Sequence, residues 1–199
     1  MTLVIDSGER ERCPDVAPSR EAAPWRGAPD LPGAGCPEIA PWLGHDMAAL
    51  EAMVRACSRE SLYHRFHGAV GPAERAARLL AGGDQEAYLA WCGGVCVGVA
   101  SLGAGRDGSA HLGVLVADPW QRRGIGTALI ARIADRARQL GLAAITADVM
   151  FEDRFILGLL GRFGPLSTAP GSPGYTARVE LASPGRVSPW RVSPWRAAG

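Results

Sequence analysis

The sequence predicts an α/β fold of mixed type, in which a mostly antiparallel twisted sheet of six to seven strands is flanked by about four helices. Apolar or alternating runs at 86–92, 95–104 and 109–118 are separated by Gly-Gly and by Gly-Arg-Asp-Gly-Ser. This pattern is typical of an antiparallel meander with tight turns. Runs with helical periodicity precede and follow the meander, which adds helices to the sheet.

Length and composition predict one folded domain with two appended segments. The chain has 199 residues, of which 47% are hydrophobic, and a formal net charge of +1. We expect an irregular extension over 1–35, the folded domain over 36–182, and a Pro/Trp-rich tail over 183–199 in which VSPWR occurs twice.

The same numbers argue against two classes of partner. A nearly neutral chain offers no overall basic field for nucleic acid. No run of about 20 apolar residues predicts a membrane span, and charges near the N-terminus leave no room for a secretory leader. We therefore expect a cytoplasmic protein, a monomer or a homodimer, with no nucleic acid or membrane partner.

A short strand in CPEIAPWL and three helices precede the meander. Asp46 is the expected cap of the first helix, whose apolar residues recur at helical spacing. Ser58 is the expected cap of a short second helix in SRESLYHRF. Pro72 and Gly82 are expected to begin and end the third helix.

The meander is followed by the clearest helix, in GIGTALIARIADRARQLG, which Gly141 is expected to end. Its predicted buried stripe consists of Ile125, Leu129, Ile133, Ala137 and Leu140. A buried strand in LAAITADVM comes next, then a last helix in EDRFILGLLGRFG. The final strand pair is predicted in GPLSTA and GYTARVEL.

The loop between the meander and the long helix, VADPWQRRGIGTALI (116–130), carries the strongest functional signal. Pro119 ends the strand, and glycines open the helix where a phosphate must approach the backbone closely. The amides of 121–126 and the positive end of the helix dipole form an anion site, with two arginines at its rim. The loop lacks the lysine of a P-loop and the spacing of the dinucleotide fingerprint.

The stretch QRRGIG resembles the Q/R-x-x-G-x-G/A element of the Gcn5-related N-acetyltransferases, and the resemblance extends from about Pro37 to Leu181. It implies a central strand splayed from its neighbour, with the pantetheine of acyl-CoA in the split, most simply acetyl-CoA. It implies that the backbone of Leu115 and Val116 binds the pantetheine. The other cofactor-binding residues implied are Gln121, Arg122, Arg123, Gly124, Ile125, Gly126, Thr127 and, in place of the family's asparagine, Asp153.

The usual proton-handling residues of the family are replaced. A subgroup that includes bacterial protein lysine acetyltransferases has A-E-x-x-x-x-V before D-x-W-Q, and His111 stands at the position of this catalytic glutamate. Neutral imidazole, with a pKa near ~6.5, is a competent base at pH 7. His111 is therefore a candidate general base, with Asp148 in reserve. The alternative is a strand histidine without a chemical role. Leu160 stands where the family has its tyrosine acid.

The stretch Ser58–Phe66 resembles the S-x-x-S-L-Y-x-R-F sequence of the same subgroup. The resemblance implies an acceptor side lined by Tyr63, Arg65 and Phe66, whose alternative role is structural. A metal shared by His64 and His67 is disfavoured because no carboxylate or thiol lies nearby in sequence, and we expect no metal.

Together these features predict an acyl-CoA-dependent N-acyltransferase that acts on a primary amine, either a protein lysine or a small-molecule amine. The altered glutamate and tyrosine positions leave one alternative open. In that alternative the chain is a non-catalytic acyl-CoA-binding module that contacts partners through its extensions.

Overall fold

The computed structural model describes residues 37–105, 108–171 and 174–181. The predicted extension and tail lie outside these residues. One seven-stranded sheet in the order β1-β2-β3-β4-β5-β7-β6 organises them, and it is antiparallel except between β4 and β5. The strands are β1 (Glu38–Pro41), β2 (Glu86–Cys92), β3 (Val95–Ala104), β4 (Ser109–Val116), β5 (Ala144–Met150), β6 (Leu166–Pro170) and β7 (Gly174–Glu180).

Five α-helices accompany the sheet in the described residues, which confirms the predicted mixed α/β class. They are α1 (Met47–Arg55), α2 (Arg59–Phe66), α3 (Ala73–Ala81), α4 (Ile125–Gln139) and α5 (Arg154–Leu160). Two single 3-10 turns, Asp118–Trp120 and Phe151–Asp153, precede α4 and α5. No helix among the described residues has the length and apolar character needed to cross a membrane.

The antiparallel meander with a tight Gly-Gly turn forms as predicted. The turn at Gly93 and Gly94 has φ of 57° and 80°, which glycine adopts at low cost. It pairs Cys92 with Val95 and Trp91 with Cys96. Burial raises the pKa of the Cys96 thiol to about 12, so this thiol stays protonated.

Three local predictions need correction. Asp46 precedes α1, but its side chain makes no capping hydrogen bond, whereas Ser58 accepts one from the Ser61 amide at 3.1 Å as predicted. The last helix begins later than expected because its first residues form a 3-10 turn. Leu140 lies beyond the end of α4 and is 37% exposed, so the buried stripe ends at Ala137.

Helices α4 and α2 lie on opposite faces of β4. A Cβ at Gly98, the partner of Val116, would lie 3.2 Å from Leu129 of α4, so this glycine lets α4 approach the sheet closely. The side chain of Arg65 on α2 lies against Gly113. Because side chains alternate along a strand, residues 111, 113 and 115 of β4 face α2.

The sheet opens in its middle. Strand β4 pairs with β5 only where Ser109–His111 meet Ala144–Thr146. Beyond this short parallel ladder both strands continue, β4 to Val116 and β5 to Met150, with no pairing between them. The expected splay between the central strands therefore begins directly after His111.

Candidate functional site

The edge of β4 that faces the opening presents free backbone groups. The amide of Ala117 donates to Val97 of β3 at 3.0 Å, and hydrogen bonding alternates along an antiparallel strand. The backbone of Leu115 is therefore directed at β3, and that of Val114 and Val116 at the opening. Of the two residues predicted to bind pantetheine through the backbone, Val116 presents its amide to the opening. Val114 does so in place of Leu115.

At the open end of β4 the chain forms a concave turn that leads into α4. Arg122 and Gly124 have φ of 59° and 81°, and they alternate with residues of negative φ in a nest-like pattern. Within the described residues, the amides of 122–127 donate to no backbone carbonyl, and the first helical bond runs from Ala128 to Gly124. These amides and the α4 dipole make a site for an anion such as a pyrophosphate.

Gly124 and Gly126 serve different purposes in this turn. The φ of 81° at Gly124 is a conformation that side chains disfavour. Gly126 is helical, and a Cβ there would meet only Val116, at 4.0 Å. Protein packing therefore does not require glycine at 126. Its missing side chain leaves a space against the free amides, which fits a ligand that must approach them closely.

Gln121 does not face this turn with its side chain. Its amide nitrogen Nε2 donates to Ser61 Oγ at 3.1 Å, to the Val116 carbonyl at 3.1 Å and to Asp118 Oδ1 at 3.3 Å. Asp118 Oδ2 also accepts from the Ser58 amide at 3.2 Å. Gln121 thus ties the anion turn to the start of α2, and the side chain of Asp118 supports this connection by accepting from both Gln121 and the Ser58 amide.

The two arginines of the turn are exposed at its rim. The guanidinium of Arg123 lies 5.3 Å from the centre of the Trp120 ring, which is buried under the turn. Ile125 is buried under α4, and Thr127 is half-buried in its first turn. The predicted cofactor residues from 121 to 127 therefore all belong to the turn and the start of α4, where Gln121 and the buried Ile125 support the backbone and the others are exposed or half-buried.

At the other end of the opening, His111 meets Asp148, the reserve base. His111 Nε2 lies 3.9 Å from Asp148 Oδ2 across the two strands, and each side chain is 44% exposed. Asp148 Oδ1 accepts a hydrogen bond from Thr176 Oγ1 of β7 at 2.9 Å. The two candidates predicted separately from the sequence thus form one pair at the point where the strands separate.

The surroundings favour a neutral His111. Burial lowers its pKa below the ordinary value, and the positive charges of Arg65 and His67 lower it further. The carboxylate of Asp148 opposes these effects and raises the pKa. Because the net shift is downward, the imidazole is unprotonated at pH 7 and is able to accept a proton.

Arg65 lies beside His111 under α2. Its Nη2 donates to Ser101 Oγ at 3.1 Å, and its guanidinium lies against Gly113 and 5.3 Å from the centre of the Phe66 ring. The Nε is buried without a hydrogen-bond partner among the described residues. Burial lowers the pKa of this guanidinium. In the part of the chain that the structure describes, Arg65 forms no ion pair with a carboxylate.

The remaining predicted residues lie on α2, at the start of α5 and in the hydrophobic core. Tyr63 is 46% exposed beside the site, and Phe66 is half-buried against the core. Oδ2 of Asp153 lies 2.8 Å from Nδ1 of His64 on α2, so this predicted cofactor residue joins α2 to the start of α5. Leu160, at the position of the family's tyrosine, is 2% exposed and belongs to the core.

The two histidines considered as metal ligands, His64 and His67, have different structural roles. His64 binds Asp153, while His67 ends α2 in a left-handed conformation with φ of 54°. Across the described residues, no group of three or more His, Cys, Asp or Glu side chains has the arrangement to hold a metal ion.

Comparison with known proteins agrees with this geometry. A model of the acetyltransferase (GNAT) family matches residues 50–164, more than half of the chain. The sequence has no significant match among curated proteins.

Solved structures share the fold at low sequence identity. The GNAT domain of Streptomyces lividans PAT is 21% identical, with a TM-score of 0.61 over 74% of this chain and 90% of that one. A GCN5-related N-acetyltransferase from Kribbella flavida is 20% identical, with a TM-score of 0.58 over 73% and 98%. The Salmonella typhimurium protein yncA, solved with its cofactor acetyl-CoA, is 19% identical, with a TM-score of 0.56 over 79% and 100%.

Proposed function

This chain belongs to the GNAT family of acetyltransferases, and from that premise we propose that it acetylates a primary amine, with His111 as the general base. The observation that carries the proposal is the opening between β4 and β5. A cluster of free amides lies at one end of this opening, and the His111–Asp148 pair lies at the other.

The donor side of the opening fits acetyl-CoA in its chemistry. The free amides of 122–127 and the space at Gly126 suit the pyrophosphate, with Arg122 and Arg123 adding positive charge at the rim. The backbone of Val114 and the amide of Val116, which face the opening, suit the amides of a pantetheine arm. When bound, acetyl-CoA supplies the thioester whose acetyl group is transferred.

His111 is proposed to remove the proton that prevents the acceptor from reacting. A protonated amine has no free electron pair, so the nitrogen attacks the thioester carbon only after a base has taken a proton. As the new C–N bond forms, the C–S bond breaks and its electron pair leaves with the sulfur. The neutral imidazole takes the proton, and the neighbouring Asp148 stabilises the imidazolium that results.

The proposed transfer does not depend on a general acid. The buried Leu160 has no proton to give to the departing sulfur. A thiolate is a good leaving group because a thiol is a far stronger acid than an alcohol or an amine, with a pKa of about 8.5 for a cysteine side chain. We therefore expect the loss of the family's tyrosine to lower the rate without abolishing the transfer.

Substitution of His111 tests the proposal. His111→Gln and His111→Ala are expected to lower kcat/KM by about 10²- to 10⁴-fold, the usual contribution of a positioned base, with acetyl-CoA binding retained. The measurement is free-thiol release from acetyl-CoA with a panel of amines and lysine-containing proteins. His45→Gln, on an exposed histidine before α1, is the matched control.

Two outcomes would contradict the proposal. An unchanged kcat/KM for the His111 variants between pH 6 and pH 9 would remove His111 as the base. Binding of acetyl-CoA by the wild type, with no thiol release for any acceptor, would identify a binding module instead of an enzyme.

A further inference from the structure

We propose that Arg65 binds a carboxylate of the acceptor, so that the substrate is a small amine with a carboxylate close to its amino group, such as an α-amino acid. The inference rests on the proposed function, because it assigns the acceptor of the same site. It begins from a cation for which the described fold provides no counter-charge.

The guanidinium of Arg65 is held in a defined position on β4. Arg65 reaches from α2 to the face of β4, where the absence of a side chain at Gly113 makes room for it. Ser101, the strand partner of Gly113, fixes the head group by accepting from Nη2 at 3.1 Å. A Cβ at Gly113 would overlap the guanidinium, so the glycine and Arg65 are matched to each other.

The positive charge of Arg65 is not compensated within the described residues. A buried cation is costly unless an anion or several hydrogen bonds replace its water. Arg65 has one hydrogen bond, from Nη2, and its Nε is buried without a partner among the described residues. Burial lowers the pKa of its guanidinium, and no carboxylate of the described residues forms an ion pair with it. A planar guanidinium in this state is suited to a ligand carboxylate.

The Arg65 guanidinium lies close to the proposed base, His111. Gly113 and His111 are successive residues on the same face of β4, so their Cα atoms lie about 6.6 Å apart. The carboxylate at Arg65 and the amine at His111 must therefore be separated by only a few bonds. The side-chain amine of an internal lysine has no carboxylate of its own at that separation.

Charges of opposite sign, Asp148 and Arg65, lie on either side of His111. Asp148 lies on β5, across the opening from His111, whereas the head group of Arg65 lies over β4 towards Ser101 of β3. The site therefore has a negative end at Asp148 and a positive end at Arg65, with the base between them. This order complements a zwitterion, whose ammonium is attracted towards Asp148 and whose carboxylate is attracted towards Arg65.

The test compares free α-amino acids with their own α-carboxamides as acceptors in the thiol-release assay. The carboxamide keeps the amine and the side chain but removes the negative charge. For the preferred amino acid, we expect kcat/KM to exceed that of its carboxamide by about 10- to 100-fold. This is the range for a hydrogen bond to a charged group.

Two variants connect this preference to Arg65. Arg65→Gln is expected to reduce the preference to less than about twofold, mainly through a higher KM for the amino acid. Gly113→Ala keeps the charge but displaces the guanidinium, and it is expected to have the same effect if Arg65→Gln folds poorly. Gly103→Ala is the control, because its Cβ would meet only Gln85, at 3.9 Å.

The outcomes separate this inference from the proposed function. Equal turnover of amino acids and carboxamides by the wild type would overturn the role of Arg65 while leaving the acetyltransferase intact. Efficient acetylation of internal lysines in peptides, unchanged in Arg65→Gln, would overturn it as well. If no amine of any kind released thiol, the proposed function itself would fail.

Discussion

At the scale of single residues, the site depends on a few charges placed where the two central strands separate. His111 is pulled in opposite directions, since burial and the cation of Arg65 favour the neutral ring and Asp148 favours the charged one. The balance leaves the pKa below its ordinary value. The imidazole is therefore ready to accept a proton in the free enzyme at neutral pH.

The pH dependence of Asp148→Asn tests this balance. In the wild type, kcat/KM is expected to fall as the pH drops through the lowered pKa of His111. Because Asp148 raises that pKa, its removal lowers the pKa further, and the acid limb moves to a lower pH. The measurement is kcat/KM from pH 5 to pH 9 for both proteins, with Asp135→Asn on exposed α4 as control.

A different result would reassign the base. If Asp148→Asn lost activity by about 10²-fold or more at every pH, with no movement of the acid limb, Asp148 and not His111 would accept the proton.

The two glycines of the anion turn are expected to separate stability from binding. Gly124→Ala places a side chain at a φ of 81° and is expected to lower the free energy of unfolding by about 1 to 2 kcal/mol. Gly126→Ala fits the helix and is expected to raise that free energy by up to about 1 kcal/mol. The family element Q/R-x-x-G-x-G/A admits alanine at this position, so Gly126→Ala is expected to retain acetyl-CoA binding. The larger side chain of Gly126→Leu fills the space at the free amides, so acetyl-CoA affinity is expected to fall at least tenfold.

Urea unfolding and calorimetric titration with acetyl-CoA measure both quantities. Tight acetyl-CoA binding by Gly126→Leu would place the pyrophosphate elsewhere. An undisturbed stability of Gly124→Ala would mean that the turn has another conformation.

At the scale of elements, the anion turn and α2 are joined by polar side chains. Gln121 contacts the end of β4, the 3-10 turn and Ser61 of α2, while Asp118 holds the first amide before α2. Helix α2 also carries Tyr63 and Arg65. The anion turn and α2 are therefore connected through one glutamine, and we expect a change in the turn to weaken binding of the proposed acceptor.

Gln121→Ala tests this connection. It leaves the free amides of the turn in place but removes the bonds to α2, so we expect KM to rise more for the acceptor than for acetyl-CoA. Ser61→Ala removes one of the same bonds and is expected to have a smaller effect in the same direction. A variant in which only KM for acetyl-CoA rises would instead mean that the Gln121 side chain binds the donor directly.

Elements defined by local chemistry were predictable from the sequence. The Gly93–Gly94 turn sets its own register, and Ser58 caps α2 through a bond to a residue three positions away. The roles of Gln121 and Asp153 were not predictable in this way, because their partners Ser61 and His64 lie far away in the chain. Arg65 was predicted at the site, but its contact with Gly113 and its missing counter-charge required the folded arrangement.

At the scale of the whole molecule, the candidate site depends on the one parallel strand pair of the described sheet, β4 with β5. The meander ends at β4, and α4 returns the chain so that β5 runs parallel to β4. The two strands pair over three residues each and then separate, which leaves the backbone of β4 free beside the start of α4. The family resemblance predicted the opening, whereas local sequence patterns contain no signal for where it begins.

A crystal structure with acetyl-CoA bound tests the central claim most directly. We predict the pyrophosphate on the amides of 122–127, the pantetheine along Val114 and Val116, and the thioester carbon within one bridging water of the His111 imidazole. A thioester that lies outside the opening between β4 and β5, or a His111 ring too far away for a single water to connect it to the reacting carbon, would contradict the account.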